Sequence, residues 1–181
     1  MDIDYNPDIR DGVLFVGGFS HPPNADALKY FLDNMWDEIY AQIKAPFYIV
    51  GSNATDEIKA LHNEAKGIIF KGFVSEEELK ELYEKVRLVV VPLRYGAGVK
   101  GKVIEALYYN DPVITTSVGA EGIDNSYNQM LVADEPGDFV EKCVNLYNDK
   151  EALKAMSKAA DNYVRSKHSI EAVWEIIRED F

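Results

Sequence analysis

Cysteine occurs once in this 181-residue chain, at Cys143, so no disulfide can form within it, as suits a reducing cytoplasm. Histidine is nearly as scarce. His21, His62 and His168 lack any ligand spacing for zinc, and no metal site is expected. No apolar run approaches the ~20 residues that span a bilayer, and the opening Met1-Asp2-Ile3-Asp4 is too acidic for a signal peptide, so a cytoplasmic protein, or a piece of one, is expected. Also missing are a G-x-G-x-x-G after the first expected strand, a Walker lysine motif and a G-x-S-x-G elbow. Their absence disfavours dinucleotide-dependent dehydrogenase, phosphate-loop and hydrolase chemistry.

Positive charge is the next shortage: Lys+Arg total 19 against 31 Asp+Glu, a formal net charge of −12, which argues against nucleic acid or anionic membrane as a partner. The shortage is uneven. From Lys85 to Ile104 there is no acid, and Lys85, Arg87, Arg94, Lys100 and Lys102 fall together. A basic island in an acidic chain points to a small anionic ligand.

What is present is alternation. Short apolar segments at 13–17, 47–50, 68–70, 88–91, 112–115 and, more weakly, 130–133 read as strands, the β-branched one at 88–91 as buried on both faces. Between them lie helical patterns at 24–43, 55–64, 75–86 and from about 99, with three more at 136–148, 150–166 and 169–180. Pro22-Pro23 with Asn24 as N-cap opens the first helix, and Ser75 with Glu78 forms a capping box for the third. This order predicts an α/β fold, a Rossmann-like doubly wound parallel sheet with helices on both faces. One domain is expected over 12–181, with 1–11 as a linker or tail. Ligands in such sheets bind outside the carboxyl ends of the strands. That rule gathers Gly17-Gly18-Phe19-Ser20-His21, Gly51-Ser52, Gly72-Phe73-Val74, Arg94 to Gly98 and Ser117 to Gly122.

The stretch Arg94-Tyr95-Gly96-Ala97-Gly98-Val99-Lys100-Gly101-Lys102 is the most telling of these. Gly96 and Gly98 allow φ > 0 and let backbone N–H groups approach a ligand. Lys100 and Lys102, read as the first turn of a helix, have the wrong sign for the helix dipole, a conflict that a bound diphosphate would relieve. Glu105, further along, is placed to accept ribose hydroxyls, and His21 is a candidate phosphate or sugar contact.

The run 96–107 followed by Asp111-Pro-Val-Ile-Thr-Thr-Ser-Val-Gly-Ala-Glu-Gly122 resembles the donor-binding, C-terminal half of the family 4 retaining GT-B glycosyltransferases, whose pattern is G-x-G-x-(R/K)-x-K-x-x-E-A, then G-x-P-V-V-x-T. The resemblance extends from Gly12 to about Phe181. It implies a hexosyltransferase of the kind used in polysaccharide biosynthesis, with a UDP- or GDP-sugar as substrate and no tightly bound cofactor. It also implies an N-terminal acceptor-binding domain in the same parent chain, without which this half is inactive. Lys100 and Glu105 are the implied catalytic residues. The resemblance implies that the loop after the first strand, with Gly17 and Gly18, approaches the diphosphate, that Phe73 and Val74 lie against the base and that Glu105 binds the ribose; the expected donor-binding set is completed by His21, Gly51, Arg94, Tyr95, Gly96, Ala97, Gly98, Val99, Lys100 and Lys102.

Two departures matter. Many members carry E-x7-E with the first glutamate on the donor sugar, and Ala97 stands eight residues before Glu105. Many also have an arginine and a lysine in a G-R-x5-K-G pattern after the first strand, where Gly18-Phe-Ser-His-Pro-Pro-Asn24 has neither. Diphosphate neutralisation then falls on Lys100, with Lys102 or Arg94 assisting. A non-catalytic nucleotide-sugar sensor or scaffold is the alternative, and an epimerase or phosphorylase on the same architecture lacks its acid/base or cofactor lysine here.

Overall fold

The computed structural model describes residues 4–167 together with 174, 175 and 178. Six strands form one parallel sheet: β1 (Val13–Val16), β2 (Phe47–Val50), β3 (Ile68–Gly72), β4 (Leu88–Val91), β5 (Val113–Thr115) and β6 (Met130–Val132), in the order β3-β2-β1-β4-β5-β6. Every residue of β1, β2, β4 and β5 is buried, as their unbroken apolar sequences require of strands covered on both faces. The order reverses between β1 and β4. Right-handed crossovers on either side of that reversal place the helices on opposite faces, so the sheet is doubly wound.

The first helical region is not one helix from 24 to 43. It comprises α1 (Pro22–Phe31), a π-helical turn (Leu32–Trp36) and α2 (Asp37–Ile43). The wider turn brings Met35 and Trp36 into the core with Phe31, where the Trp36 and Phe31 rings lie 4.9 and 5.1 Å from Phe47. Trp36 Nε1 donates to the Lys66 carbonyl at 2.8 Å, so its one polar atom is satisfied. The expected helix over 55–64 shrinks to α3 (Asp56–Lys59), capped by Thr55, and a 3-10 turn (Glu64–Lys66). Only Ile58 of α3 is buried, and so short a helix gains little else from packing. The capping box forms as expected on α4 (Glu76–Lys85), with both reciprocal bonds between Ser75 and Glu78. Then follow α5 (Gly101–Tyr108), α6 (Pro136–Asn148), which packs Phe139 on Phe31 at 5.9 Å, and α7 (Lys150–Lys167). The helix expected over 169–180 lies largely outside the described residues; of it, Trp174 sets its ring 5.8 Å from that of Tyr108. No described helix is long and apolar enough to cross a membrane.

Residues 5–11, expected as linker or tail, lie against the amino end of the sheet. Arg10 is buried and its Nη1 donates to the Tyr83 carbonyl at 2.6 Å, the Val86 carbonyl at 3.1 Å and Asp111 Oδ1 at 2.7 Å. Tyr5 lies under the guanidinium, 4.3 Å from ring centroid to Cζ, and donates its hydroxyl to the Arg87 carbonyl. Burial pushes the Asp111 carboxyl well above the usual carboxylate range, and Arg10 draws it back.

Replacing Arg10 by Met removes the partner and leaves that carboxyl buried. The variant should lose about 3–5 kcal/mol of stability at neutral pH, as for a broken buried pair. Its Asp111 pKa should rise further, so folding then favours the protonated form. The deficit should be smallest below the unfolded carboxylate pKa of about 3.9 and grow as pH rises through the folded value. Urea titrations at several pH values measure it, and a loss that is small and independent of pH would show that the pair does not fasten this segment.

Candidate functional site

The reversal of strand order opens a crevice between the loops that follow β1 and β4, and both loops are rich in glycine. On the β1 side, Gly17 donates its N–H to the Val50 carbonyl at 2.9 Å. A Cβ on Gly51 would stand 1.9 Å from the Gly17 carbonyl oxygen, and one on Gly17 would stand 2.9 Å from Asn24 Cγ. These glycines let two chain segments touch. On the β4 side, Gly96 and Gly98 have φ of +118° and +85°, and a Cβ on Gly98 would meet nothing within 4 Å. That glycine faces open space.

Helix α5 begins at Gly101, two residues later than expected. Lys100 is its N-cap in an extended conformation, not a member of the first turn, and Lys102 alone is. Both side chains are over nine-tenths buried, with relative exposures of 6% and 7%. The Lys100 ammonium folds back on the carbonyls of Gly98 and Gly96, and lies 3.6 Å from Glu121 Oε2 in the loop after β5. The Lys102 ammonium donates to Asn24 Oδ1, and Asn24 Nδ2 donates to the Gly18 carbonyl at 2.8 Å. A chain of hydrogen bonds thus clasps α5 to the glycine turn after β1.

Glu105 is buried one turn below the mouth, where Oε2 accepts the Tyr83 hydroxyl at 3.0 Å. Burial and the adjacent Glu105 carboxylate raise the Tyr83 pKa far above its ordinary value, so Tyr83 remains the donor at any working pH. Beside the crevice, Thr116 Oγ1 donates to the Leu93 carbonyl and accepts the Gly119 N–H at 3.2 Å. This ties the loop after β5 to the glycine loop.

The expected residues separate into two groups. Gly17, Gly18, Gly96, Ala97, Gly98, Lys100, Lys102 and Glu105 belong to the crevice or its floor. Arg94 does not bring a free charge: Asp26 binds it through two bonds of 2.9 and 2.5 Å, and its guanidinium lies 4.4 Å from the centre of the Tyr30 ring. His21, not Asn24, is the N-cap of α1, with Pro22 and Pro23 at the first helical positions, and its side chain makes no capping bond. Gly51 is a packing glycine. Val74 packs against the core, whereas Phe73 is 80% exposed beyond β3, two strands from β1 and so ~10 Å across the sheet. Tyr95 and Val99 are exposed on the glycine loop.

The basic island divides along the strand. Lys85 and Arg87 precede β4 at the amino end, where Arg87 donates to the Arg10 and Tyr147 carbonyls and Lys85 lies over the Tyr48 ring. A strand of four residues carries its two flanks to opposite edges of the sheet, so nearness in sequence overstated the cluster. Asn24 is the residue that sequence reasoning misassigned. Its signal was the helical period: it shares a face with Ala27, Leu28 and Phe31, all buried, and a polar residue on such a face requires a partner.

A second hollow, lined by Tyr5, Asn110, Lys154, Ser157, Lys158 and Arg165, lies toward the amino end. Two of its cations already have carboxylates: Lys154 with Glu151 and Arg165 with Asp161. Among the described residues no three of His, Cys, Asp and Glu stand together to hold a metal ion.

Comparison with known proteins now bears on this crevice. The sequence family described as Glycosyl transferases group 1 matches residues 10–149. An uncharacterized 44.6 kDa protein in the cps region of Klebsiella pneumoniae is 24% identical over 172 residues, which are 91% of this chain and 44% of that protein. Among solved structures, a mutant of S. aureus TarM in complex with fondaparinux, alpha-GlcNAc-glycerol and UDP superposes with a TM-score of 0.72 at 19% identity, over 99% of this chain and 37% of TarM. WaaG, a glycosyltransferase involved in lipopolysaccharide biosynthesis, gives 0.70 at 17% identity over 96% and 47%. The C-terminal domain of the group 1 family protein LpcC from Francisella tularensis gives 0.66 at 18% identity over 90% and 89%. These likenesses establish the fold. The chain spans less than half the length of the Klebsiella protein, TarM and WaaG.

The two kinds of glycine make a testable contrast. Gly51→Ala drives a methyl into the Gly17 carbonyl and should destabilise the fold by several times more than Gly98→Ala, whose cost is the ~1–2 kcal/mol of a left-handed alanine. Thermal melts of the two variants decide. Equal losses would mean that Gly51 does not hold the β1 and β2 loops together.

Proposed function

The chain belongs to the Glycosyl transferases group 1 family, and from that premise we propose that it is the donor-binding part of a retaining glycosyltransferase, holding the nucleoside-diphosphate end of a UDP- or GDP-sugar. One observation carries the reading. Two glycine turns and two buried lysines converge at the switch point of the sheet, beside the N-terminus of α5. Both ammonium groups donate to carbonyl or amide oxygens, and a diphosphate offers them stronger acceptors. Lys100 would exchange the Gly96 and Gly98 carbonyls for phosphate oxygens, while Gly98 leaves the approach open. The same cations and helix N–H groups would stabilise the charge that grows on the diphosphate as the bond to the sugar breaks. Glu105, held by Tyr83, is the acceptor for the ribose.

The acceptor site and the rest of the cleft belong, in this reading, to an N-terminal domain of the same parent protein. The alignment with an LpcC C-terminal domain over 89% of its length supports that division. So does the apolar rim: Phe73, Tyr95 and Val99 are exposed on the carboxyl-end loops, where a closing partner would cover them. The relative in a cps region and the likeness to a lipopolysaccharide enzyme favour a growing surface polysaccharide as acceptor.

UDP or GDP should bind the chain weakly, and Glu105→Ala should weaken that binding by ~1.5–3 kcal/mol, the worth of a hydrogen bond to a charged group. Calorimetry with millimolar nucleotide measures both, and no heat with either nucleotide contradicts the proposal. The chain alone should transfer no sugar from labelled UDP- or GDP-sugars, because a half without its cleft neither positions an acceptor nor excludes water. Adding the parent's N-terminal half should restore turnover. Continued silence from the pair would instead favour a nucleotide-sugar sensor, consistent with Ala97 in place of a sugar-binding glutamate.

A further inference from the structure

Asn24 occupies a position that packing alone would give to an apolar residue. It lies in the first turn of α1, buried on the face that carries Ala27, Leu28 and Phe31. Both polar atoms of its amide are engaged, Nδ2 with the Gly18 carbonyl of its own loop and Oδ1, across the crevice, with the Lys102 ammonium. Gly17 leaves room for it, since any Cβ there would crowd Asn24 Cγ at 2.9 Å. The loop Gly17 to Asn24 contains no lysine or arginine. Lys102, for its part, is buried in the first turn of α5, against the helix dipole.

Resting on the donor-binding reading, we propose that Asn24 is a positioning residue for Lys102. It holds the ammonium over the Gly17–Gly18 turn, so that a diphosphate seated there meets a cation delivered from α5 and not from its own loop. The amide suits this task because it is neutral. A carboxylate would hold the lysine equally well and cancel its charge, as Asp26 cancels Arg94 in the next pair along. The Asn24 oxygen adds no counter-charge of its own beside the buried Lys102 ammonium.

The test is calorimetric titration of the full chain and its variants with UDP, GDP, uridine and guanosine, with circular dichroism to check folding. Asn24→Ala should weaken the better-binding diphosphate roughly tenfold, the loss of one charge-assisted contact, and leave its nucleoside unchanged. The double variant Asn24→Ala, Lys102→Ala should bind no worse than Lys102→Ala alone, since the first residue acts through the second. Asn24→Asp should weaken the diphosphate at least as much as Asn24→Ala, and it carries the test where the alanine variant does not fold. Additive losses in the double variant, equal losses for nucleoside and diphosphate, or wild-type binding by Asn24→Asp would each overturn the inference while the donor-binding reading stands. No binding of either diphosphate by the unsubstituted chain would overturn both.

Discussion

Strands β1 and β4 lie side by side although β2 and β3 intervene in the chain, and that adjacency sets where a ligand can meet this molecule. Parallel strands leave their loops at the same edge, and at the reversal of strand order the two loops part toward opposite faces. The gap needs something to close it. Here Lys102 reaches from α5 to Asn24, and Asn24 to the Gly18 carbonyl, so the two halves of the sheet are joined across their crevice by polar groups. At the amino edge the joining is done by Arg10, which binds carbonyls at the end of α4 and the Asp111 carboxylate before β5.

Electrostatics follow from this arrangement. A chain of net charge −12 repels anions at long range, so the proposed diphosphate ligand would depend on short-range groups that are already oriented. Lys100 and Lys102 are buried and hydrogen-bonded before any ligand arrives, which lowers the entropy lost on binding. Their resting contacts differ: Lys100 lies 3.6 Å from the half-exposed Glu121 carboxylate, whereas Lys102 donates to the neutral Asn24 amide.

Much of this was legible in the sequence. Short apolar runs mark strands, and all six were found, with β1, β2, β4 and β5 buried throughout and the edge strands β3 and β6 only in part; the Ser75 capping box and the glycine loop before α5 are short-range patterns and read directly. Long-range relations were less legible. The π-turn at 32–36 exists because Trp36 reaches Phe47, which no local pattern records. The run from Lys85 to Lys102 looked like one cluster because sequence distance ignores that β4 separates its ends. Asn24 was read as a cap because asparagine favours that position, and the buried face of α1 outweighed the propensity. Arg94 was read as assisting at the diphosphate because nothing local foretells Asp26 on α1.

In the proposed function the β1 turn and the glycine loop form one diphosphate site. Amide chemical shifts of the labelled chain, recorded while UDP or GDP is added, test it most directly. Gly17, Gly18, Gly96, Gly98, Gly101 and Lys102 should shift together with one dissociation constant. Shifts confined to one loop, or centred on the hollow around Tyr5, Lys154 and Lys158, would contradict it.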